Sequence, residues 1–241
     1  RGAYASNHRL SLSPNGKTIA ISALPLDPNE RDPSLTVSGR RIYSVPTDGG
    51  QPQLITDDWG TKPAFSPDGK YIAYTGWRVQ GGLRLDVEAP HFKGHLSVVP
   101  SGGGTPTRLA TVDGRLGGPV WSPDGKYIAT HYMPGADGQS PEIWVFPLSP
   151  DMSSAGPPEK VALPRASDNM VAGWTPGGEL GIFIDSENQS AVYTVPARGG
   201  RAVQVTRNNE TGFYPSWSPD GDRIYVRRWD GTAGVSVAYV P

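Results

Sequence analysis

At one place in this sequence, several side chains that could bind a metal ion lie close together. His91 and His95 have the spacing H-x3-H, and Asp86 and Glu88 precede them closely. Two imidazoles and a carboxylate are a ligand set for zinc or manganese. Because no helix is predicted here, a separation of four residues does not bring both imidazoles to one face. We therefore predict no metal and no cofactor, and keep His91 and His95 as an alternative.

Sequence signatures of catalysis are missing. The chain has no G-x-S-x-G nucleophile elbow and no H-E-x-x-H motif, and residues 16–18 lack the upstream glycine of a phosphate loop. It has no cysteine, which excludes disulfides, thiolate ligands and thiol catalysis. Asp68, Asp124 and Asp220 stand in predicted turns, so we interpret them as turn-forming. No catalytic residue is predicted; whether the chain is an enzyme stays uncertain, with a non-enzyme favoured.

Aromatic and basic side chains are the candidates for ligand binding. Three tryptophans stand outside the repeated segments described below, where a ring can stack on a sugar or anchor a partner. The alternative is that each ring caps a neighbouring strand. Basic residues near the start of repeats could attract a carboxylate or a phosphate. The predicted ligand-binding residues are Trp59, Trp77, Trp229, His8, Arg9, Lys62, Arg115 and Tyr214.

The composition indicates which elements position these residues. The chain has 241 residues, of which 31 are glycine and 25 are proline, about twice the usual share. Both residues interrupt helices. Hydrophobic residues make up 36%, with seven Trp and ten Tyr, enough for a core and against disorder. Short strands joined by tight turns are therefore predicted, in a single domain spanning residues 1–241.

Charge and hydropathy exclude some classes of partner. Lys plus Arg is 22 and Asp plus Glu is 23, a net charge of −1, so no basic field favours nucleic acid. No apolar run approaches the roughly 18–20 residues that span a bilayer, so no membrane insertion is predicted. The absence of cysteine fits a periplasmic or extracellular location, although a cytoplasmic one stays open. Because the chain begins at Arg1, we interpret it as a processed or excised segment.

Internal repeats are the most informative pattern. Each repeated segment predicts a hairpin, in which Pro sets φ, Asp or Asn accepts local hydrogen bonds and Gly supplies a positive φ. Five segments align: SLSPNGKTIA (11–20), AFSPDGKYIA (64–73), VWSPDGKYIA (120–129), GWTPGGELGI (173–182) and SWSPDGDRIY (216–225). The residue before each Ser-Pro or Thr-Pro is predicted to lie in the core. These residues are Leu12, Phe65, Trp121, Trp174 and Trp217.

A second repeated unit follows the first. It reads IYSVP (42–46), LSVVP (96–100), IWVFP (143–147) and VYTVP (192–196), and a Gly-Gly turn and a further strand come after three of the four copies. In the third repeat an insertion over 147–158 replaces the turn. Each repeat is thus predicted to contain four strands, a to d. The repeats cover approximately 8–56, 57–110, 111–163, 164–206 and 207–241. Four-stranded units of about this length predict an all-β fold, a β-propeller.

The pattern (W/F)SPDGKxIA…IYxVP…GG…LT resembles the TolB-type, WD40-like repeat that is often called PD40. The resemblance covers essentially the whole chain and implies a propeller of four-stranded antiparallel blades. Five blades are preferred, while a six-bladed ring or a fragment stays open. The fifth repeat stops at VAYVP (237–241) without a strand d. We expect residues 1–7 to supply that strand and close the ring.

Propeller geometry predicts where a ligand would bind. The tight a–b and c–d turns share one face, and the b–c and d–a loops share the other. The long loops are dissimilar, which is typical of a binding surface but also of tolerated insertions. They cover 24–41, 76–95, 131–142, 185–191 and 229–234. By analogy, residues before strand a, including Arg9, Lys62 and Arg115, line the mouth of the central channel.

The preferred function is a monomeric, non-catalytic TolB-like module that binds a protein, peptide or glycan through the long-loop face. Two alternatives remain open. Similar repeats precede the catalytic domain in peptidases that resemble prolyl oligopeptidase or tricorn. A propeller that acts on glycans, as a lyase or hydrolase, is the other.

Overall fold

The computed structural model of the chain describes residues 10–24, 40–79, 92–134, 141–162, 168–185, 191–198, 200–206, 212–218, 223–229 and 235–240. The regular elements in these residues are antiparallel β-strands, which confirms the predicted all-β class. They are β1 (Ser11–Leu12), β2 (Thr18–Ala23), β3 (Arg41–Pro46), β4 (Gln53–Thr56), β5 (Thr61–Phe65), β6 (Tyr71–Val79), β7 (Phe92–Pro100), β8 (Thr107–Leu116), β9 (Val120–Trp121), β10 (Tyr127–Pro134), β11 (Glu142–Pro147), β12 (Glu159–Lys160), β13 (Asp168–Trp174), β14 (Glu179–Asp185), β15 (Ala191–Pro196), β16 (Val203–Gln204), β17 (Gly212–Trp217), β18 (Ile224–Trp229) and β19 (Val235–Val240).

Strand pairing follows the repeats. The chain forms two compact units, one made mainly of β1–β8 and the other mainly of β9–β19. In the first unit, β1–β4 pair in chain order, and so do β5–β8. In the second unit the same holds for β9–β12, β13–β16 and β17–β19. Consecutive groups of antiparallel strands are what the four-strand repeat predicts.

The Ser-Pro-Asp-Gly turns are closed by their own side chains. Ser66 Oγ donates to Asp68 Oδ1 at 2.6 Å, the Lys70 amide donates to the same oxygen at 3.1 Å, and the Tyr71 amide donates to Ser66 Oγ at 3.0 Å. The bond from Ser66 is the main cause that holds the pKa of Asp68 below its ordinary value. Gly69 completes the turn at φ +74°.

The turn that follows Trp121 repeats this network. Its serine, aspartate and two amides make the same three hydrogen bonds at 2.6, 3.1 and 3.0 Å, and its glycine, Gly125, has φ +71°. These contacts support a structural role for Asp68 and Asp124, as the sequence predicted. Asp220 lies outside the described residues.

The residues that precede these turns pack into the cores of the two units. Phe65 packs against a buried cluster that includes Ile42, Ile72 and Tyr74. Trp217 packs so closely on Gly181 that a Cβ there would lie 2.8 Å from the indole Cζ2. Leu12 departs from the prediction, since it is 54% exposed. It stands in a two-residue strand at the edge of its group, and no described residue covers it enough to bury it.

Two predicted loops overlap the strands by several residues. β6 continues to Val79 and β7 begins at Phe92, and their pairing runs without a break from Tyr71 opposite Pro100 to Val79 opposite Phe92. Trp77 therefore lies in a strand and not in a loop over 76–95, because aromatic residues favour paired strands. Likewise β10 continues to Pro134, into the predicted loop over 131–142.

The N-terminal closure falls on residues 1–7, which lie outside the described residues. The closed ring and the number of blades therefore stay predictions. In the described part of the chain, none of the elements is a helix of the length and hydropathy needed to cross a bilayer.

Candidate functional site

The paired strands β6 and β7 present two faces, and a chain segment crosses each of them. Side chains alternate along a strand, so Tyr74 and Gly76 belong to one face of β6, and Thr75 and Trp77 to the other. Residues 57–60, between β4 and β5, lie over the first face; we name them the Asp58 segment. Residues 114–117, at the end of β8, lie over the second face, and we name them the Arg115 segment.

The Asp58 segment is held by a polar cluster of Asp58, Tyr74, His95 and Arg108. Asp58 Oδ2 accepts hydrogen bonds from Tyr74 Oη at 3.0 Å and from Arg108 Nη2 at 2.9 Å. His95 Nε2 lies 3.8 Å from the same oxygen and 3.1 Å from the Trp59 carbonyl oxygen. Because a carbonyl only accepts, this contact assigns a hydrogen to His95 Nε2. The four side chains together fasten the segment to β6, β7 and β8.

Glycines allow this close packing. A Cβ at Gly76 would lie 2.6 Å from the Trp59 carbonyl oxygen and 2.7 Å from His95 Nε2, and one at Gly60 would lie 2.9 Å from Tyr74 Cε2. Burial, and then the neighbouring Asp58 carboxylate, raise the pKa of Tyr74. Its hydroxyl thus stays protonated and remains a donor to Asp58. This face is closed by the folded chain itself.

Of the alternative metal ligands, only His95 lies in the described part of the chain. His95 belongs to the Asp58 cluster, and its side chain is only 10% exposed. Its prospective partners His91, Asp86 and Glu88 lie outside the described residues. In the described ranges there is no group of three or more His, Cys, Asp or Glu that could hold a metal ion.

The second face carries a cationic aromatic cluster of Trp77, Phe92 and Arg115, which we name the Arg115 cluster. The two rings meet edge to face, with centroids 5.2 Å apart and an interplanar angle of 88°. Arg115 Cζ lies 4.7 Å from the centroid of Phe92 and 5.9 Å from that of Trp77. These are distances at which a guanidinium is attracted to a ring. All three side chains are partly exposed.

Two glycines position Arg115 over the rings. Trp77 is paired with Gly94, so no side chain stands beside the indole on β7. A Cβ at Gly94 would lie 2.7 Å from the Gly114 carbonyl oxygen and 3.2 Å from Arg115 Cα. Gly114 has φ +127°, a conformation that favours glycine. The end of β8 can therefore approach β7 and carry Arg115 across the face.

The Arg115 segment is also tied down beyond the arginine. Thr75 Oγ1, which is on the same face of β6 as Trp77, donates to the Gly117 carbonyl oxygen at 2.9 Å. Thr75 is buried, as are Leu116 and Gly117. The backbone on both sides of Arg115 is thus fixed, while the side chain itself reaches the surface.

The charges of the Arg115 cluster are unbalanced. Within the described residues, no carboxylate pairs with Arg115 and no acceptor takes a hydrogen bond from its guanidinium. The neighbouring cation Lys93 differs, since its ammonium forms an ion pair with Asp113. The second face therefore carries a partly exposed guanidinium that lies over two aromatic rings.

The structure brings together two of the predicted binding residues, Trp77 and Arg115. Two others belong to the same strand group: Trp59 uses its backbone carbonyl in the Asp58 segment, and Lys62 stands at a bulge of β5 with φ +55°. Arg115 lies at the end of β8, shortly before β9 begins, and its place at a channel mouth stays a prediction.

The remaining predicted residues cannot be placed in a site. Trp229 ends β18 and Tyr214 lies in β17, and their side chains fall outside the described residues, as do His8 and Arg9 entirely. The sequence patterns did not indicate a role in either cluster for Phe92, Asp58, Tyr74 or Arg108. For Phe92 a signal was present, because it stands three residues before His95 in an alternating run that leads into the LSVVP unit.

No family model matches the chain. A curated relative is Atu1656, an uncharacterized protein of Agrobacterium fabrum (strain C58). The two are 30% identical over an alignment of 243 positions, gaps included, which covers 92% of this chain and 70% of the relative.

Solved structures of propeller proteins resemble this chain. TolB from Acinetobacter baumannii has a TM-score of 0.63 and 21% identity, and the match covers 93% of this chain and 50% of that one. A puromycin hydrolase has a TM-score of 0.62 and 16% identity, covering 96% and 46%. The chain thus spans half or less of these two proteins. At such identities the likeness shows the fold alone, and it supports the TolB-like propeller that the repeats predicted.

Proposed function

Because the chain belongs to the same family as Atu1656 of Agrobacterium fabrum, and has a TolB-like fold, we propose that it is a non-catalytic propeller module that binds a macromolecular ligand. Of the protein, peptide and glycan ligands predicted, a protein or peptide fits best. The observation that carries the proposal is the Arg115 cluster.

Strand length sets this cluster apart from the repeat scaffold. β6, β7 and β8 have nine, nine and ten residues. Their counterparts β2, β3 and β4 have six, six and four. The additional residues carry Trp77, Phe92 and Arg115. Tryptophan and arginine are enriched among the residues that contribute most to protein interfaces, so an extension that displays both fits a binding role.

Ring geometry favours a peptide over a glycan. A sugar binds to tryptophan by stacking on an open ring face. In the Arg115 cluster the guanidinium lies against both rings, and the edge-to-face contact covers further ring surface. The arginine donors are more available than the ring faces, and peptides offer many acceptors for them.

Selection of ligands from unbiased libraries tests the proposal. We expect the immobilised protein to enrich peptides from a phage-displayed library, and to bind no component of a glycan array with comparable affinity. The double variant Trp77→Ala/Phe92→Ala should weaken binding of the selected peptides by about ten-fold or more, as loss of an interface hot spot does. Peptide binding unchanged in this variant, or binding of glycans alone, would contradict the proposal.

A matched control is available in the second unit. Trp144 is also a partly exposed strand tryptophan, which stacks on Tyr132 with centroids 4.1 Å apart and donates to Glu142 Oε2 at 2.8 Å. Trp144→Ala removes a partly exposed tryptophan that supplies no ring to the Arg115 cluster. Peptide affinity should stay within about two-fold of the wild type.

A second candidate function is the propeller part of a larger serine peptidase. Its support is the likeness to puromycin hydrolase, of which the match covers 46%. In that role the propeller would admit substrate and the nucleophile would stand on another part of the protein. Hydrolysis of peptide substrates by the full-length gene product, lost on addition of a serine-directed inhibitor, would favour this function.

The proposed module is a monomeric, single-domain protein of the periplasm or the extracellular space. Light scattering on the purified chain tests the monomer. Fractionation of the native cells, with detection of the protein by antibody, tests the location. A cytoplasmic fraction would contradict the proposed location without bearing on ligand binding.

A further inference from the structure

We infer that the Arg115 cluster is a recognition site for carboxylates, and that its ligand is an acidic peptide segment. This inference rests on the proposed binding function and names the chemistry of the ligand. It follows from a comparison of two arginines on one strand.

Arg108 and Arg115 both stand on β8, and their side chains are used differently. Arg108 Nη2 donates to Asp58 Oδ2 at 2.9 Å, so its charge is matched by a carboxylate of the folded chain. Arg115 is supported by the Phe92 and Trp77 rings instead. Because the contact to the rings is made around Cζ, and a guanidinium has five N–H donors, donors remain for a ligand on the side away from the rings. A carboxylate with two acceptor oxygens fits these donors.

Neighbouring charges leave Arg115 as the unmatched cation. Lys93, in the adjacent strand, is already paired with Asp113. In the described part of the chain, the cluster therefore has one positive charge without an anion. The Trp77 and Phe92 rings exclude water from one side of that charge, and a less aqueous environment strengthens its attraction for an anion. The parts of the Trp77 and Phe92 rings that stay exposed offer contact to apolar atoms that flank a carboxylate in a peptide.

The backbone makes the site geometrically defined. Gly94 and Gly114 permit β8 to approach β7, and the hydrogen bond from Thr75 to Gly117 fastens the chain beyond Arg115. A carboxylate would thus meet a guanidinium whose position is set by strands, and not by a loop. Sites on strands are held more tightly than sites on loops.

The probe for this site is the peptide acetyl-tetraglutamate amide, with acetyl-tetraglutamine amide as its neutral counterpart. Binding is followed by NMR through the Arg115 side-chain Nε–Hε signal and the Trp77 indole N–H signal of the ¹⁵N-labelled protein. We expect saturable shifts of both signals with tetraglutamate, and an affinity at least about ten-fold weaker with tetraglutamine. Equal binding of the two peptides would overturn the inference.

Inorganic phosphate is the third arm of the experiment. It carries negative charge but has no peptide backbone and no apolar atoms to contact the rings. We expect phosphate to shift the Arg115 signal only at concentrations about ten-fold or more above those of the acidic peptide. Phosphate binding as tight as that of tetraglutamate would overturn the assignment to an acidic peptide.

Substitutions of Arg115 separate the contribution of its paired N–H donors from that of its positive charge. Arg115→Gln should weaken tetraglutamate binding by about ten-fold or more, and Arg115→Lys should fall between this variant and the wild type. The control Lys93→Gln removes a nearby cation that already has a partner, and its affinity should stay within about two-fold of the wild type. Wild-type affinity in Arg115→Gln, with an otherwise unchanged spectrum, would overturn the inference.

The outcomes also separate this inference from the proposed function. One outcome is that the selected library peptides lack acidic residues and bind Arg115→Gln as well as the wild type, yet lose affinity for Trp77→Ala/Phe92→Ala. That result would support the binding module and reject the carboxylate site. A failure of every peptide to bind would reject both.

Discussion

The two segments that cross the β6–β7 pair differ in how their charges are matched. The carboxylate of the Asp58 segment accepts hydrogen bonds from Tyr74 and Arg108, and it is 19% exposed. The guanidinium of the Arg115 segment contacts two rings, and no described carboxylate pairs with it. The polar groups of one face are paired within the fold, while the guanidinium of the other is the group that we propose binds a ligand.

This difference indicates how a repeat scaffold would acquire the proposed site. Both segments cross the same two strands, and both depend on a glycine of those strands, Gly76 on one face and Gly94 on the other. The close packing of a segment over a strand glycine is therefore common to both faces, and the faces differ in the side chains that the segments carry. Variants of the two faces should differ in whether they affect stability or binding.

The largest loss of stability is expected for Asp58→Ala. It leaves the buried Tyr74 hydroxyl and the Arg108 guanidinium without their acceptor, which should lower the free energy of unfolding by about 2–3 kcal/mol. Urea unfolding followed by circular dichroism measures this change. The counterpart on the other face, Arg115→Gln, should cost less than about 1 kcal/mol, since the cation over the rings is partly exposed. Equal losses would remove the distinction between the two faces.

Alanine at the two glycines should separate stability from binding. Gly76→Ala places a methyl group against the Trp59 carbonyl and His95, with a cost of about 2 kcal/mol. Gly94→Ala displaces Gly114 and Arg115, so acidic-peptide affinity should fall as much as in Arg115→Gln. Unfolding and peptide titration of both variants test the pair. Unchanged peptide affinity in Gly94→Ala would show that the approach of β8 does not position Arg115.

A smaller loss, of about 1 kcal/mol, is expected for Tyr74→Phe. This variant keeps the ring in the core but removes one donor to Asp58, and the second donor, Arg108, remains. Thermal unfolding by calorimetry gives the difference. An unchanged midpoint would mean that Arg108 and His95 hold the Asp58 segment by themselves.

The smallest effect is expected at the Asp68 turn, and it depends on pH. The pKa of Asp68 is lowered in the folded state from 3.8, mainly by the Ser66 hydroxyl. Its carboxylate therefore stabilises the fold above pH 3.8, and this contribution disappears as the pH falls through the lowered pKa. The difference in unfolding free energy between wild type and Asp68→Asn should shrink between pH 6 and about pH 2.5.

Asn15 explains why this effect is small. In the first repeat an asparagine already replaces the aspartate, and Ser13 Oγ donates to its Oδ1 at 2.8 Å. The amide oxygen thus closes the turn without a charge. A difference between wild type and Asp68→Asn that grew on acidification would contradict the sign of the pKa shift.

The sequence predicted the features whose partners are close along the chain. The Ser66–Asp68 turn closes within five residues, and the strands around it follow from the repeated motif. Asp58 reaches Tyr74 16 residues away and Arg108 50 residues away. No local pattern indicates such contacts, because they depend on how strands are brought together.

The proximity of Trp77 to Arg115 in the proposed binding cluster was not predicted, for a related reason. Trp77 and Arg115 were selected as a loop aromatic and a basic residue near the channel mouth, and the structure places both in strands. Their proximity depends on the extension of β6–β8 and on the close approach at Gly94. The sequence shows that a strand contains a glycine, but it does not show which neighbouring residue fills the space left by the missing side chain.

The anchoring of the Arg115 segment also has an entropic consequence. An arginine on a mobile loop must lose much of its rotational freedom when a ligand arrives, which reduces affinity. Arg115 is confined during folding by two rings and by fixed backbone on either side. A ligand at this surface would therefore be captured by a group that is already ordered, and its association would require little rearrangement of the protein.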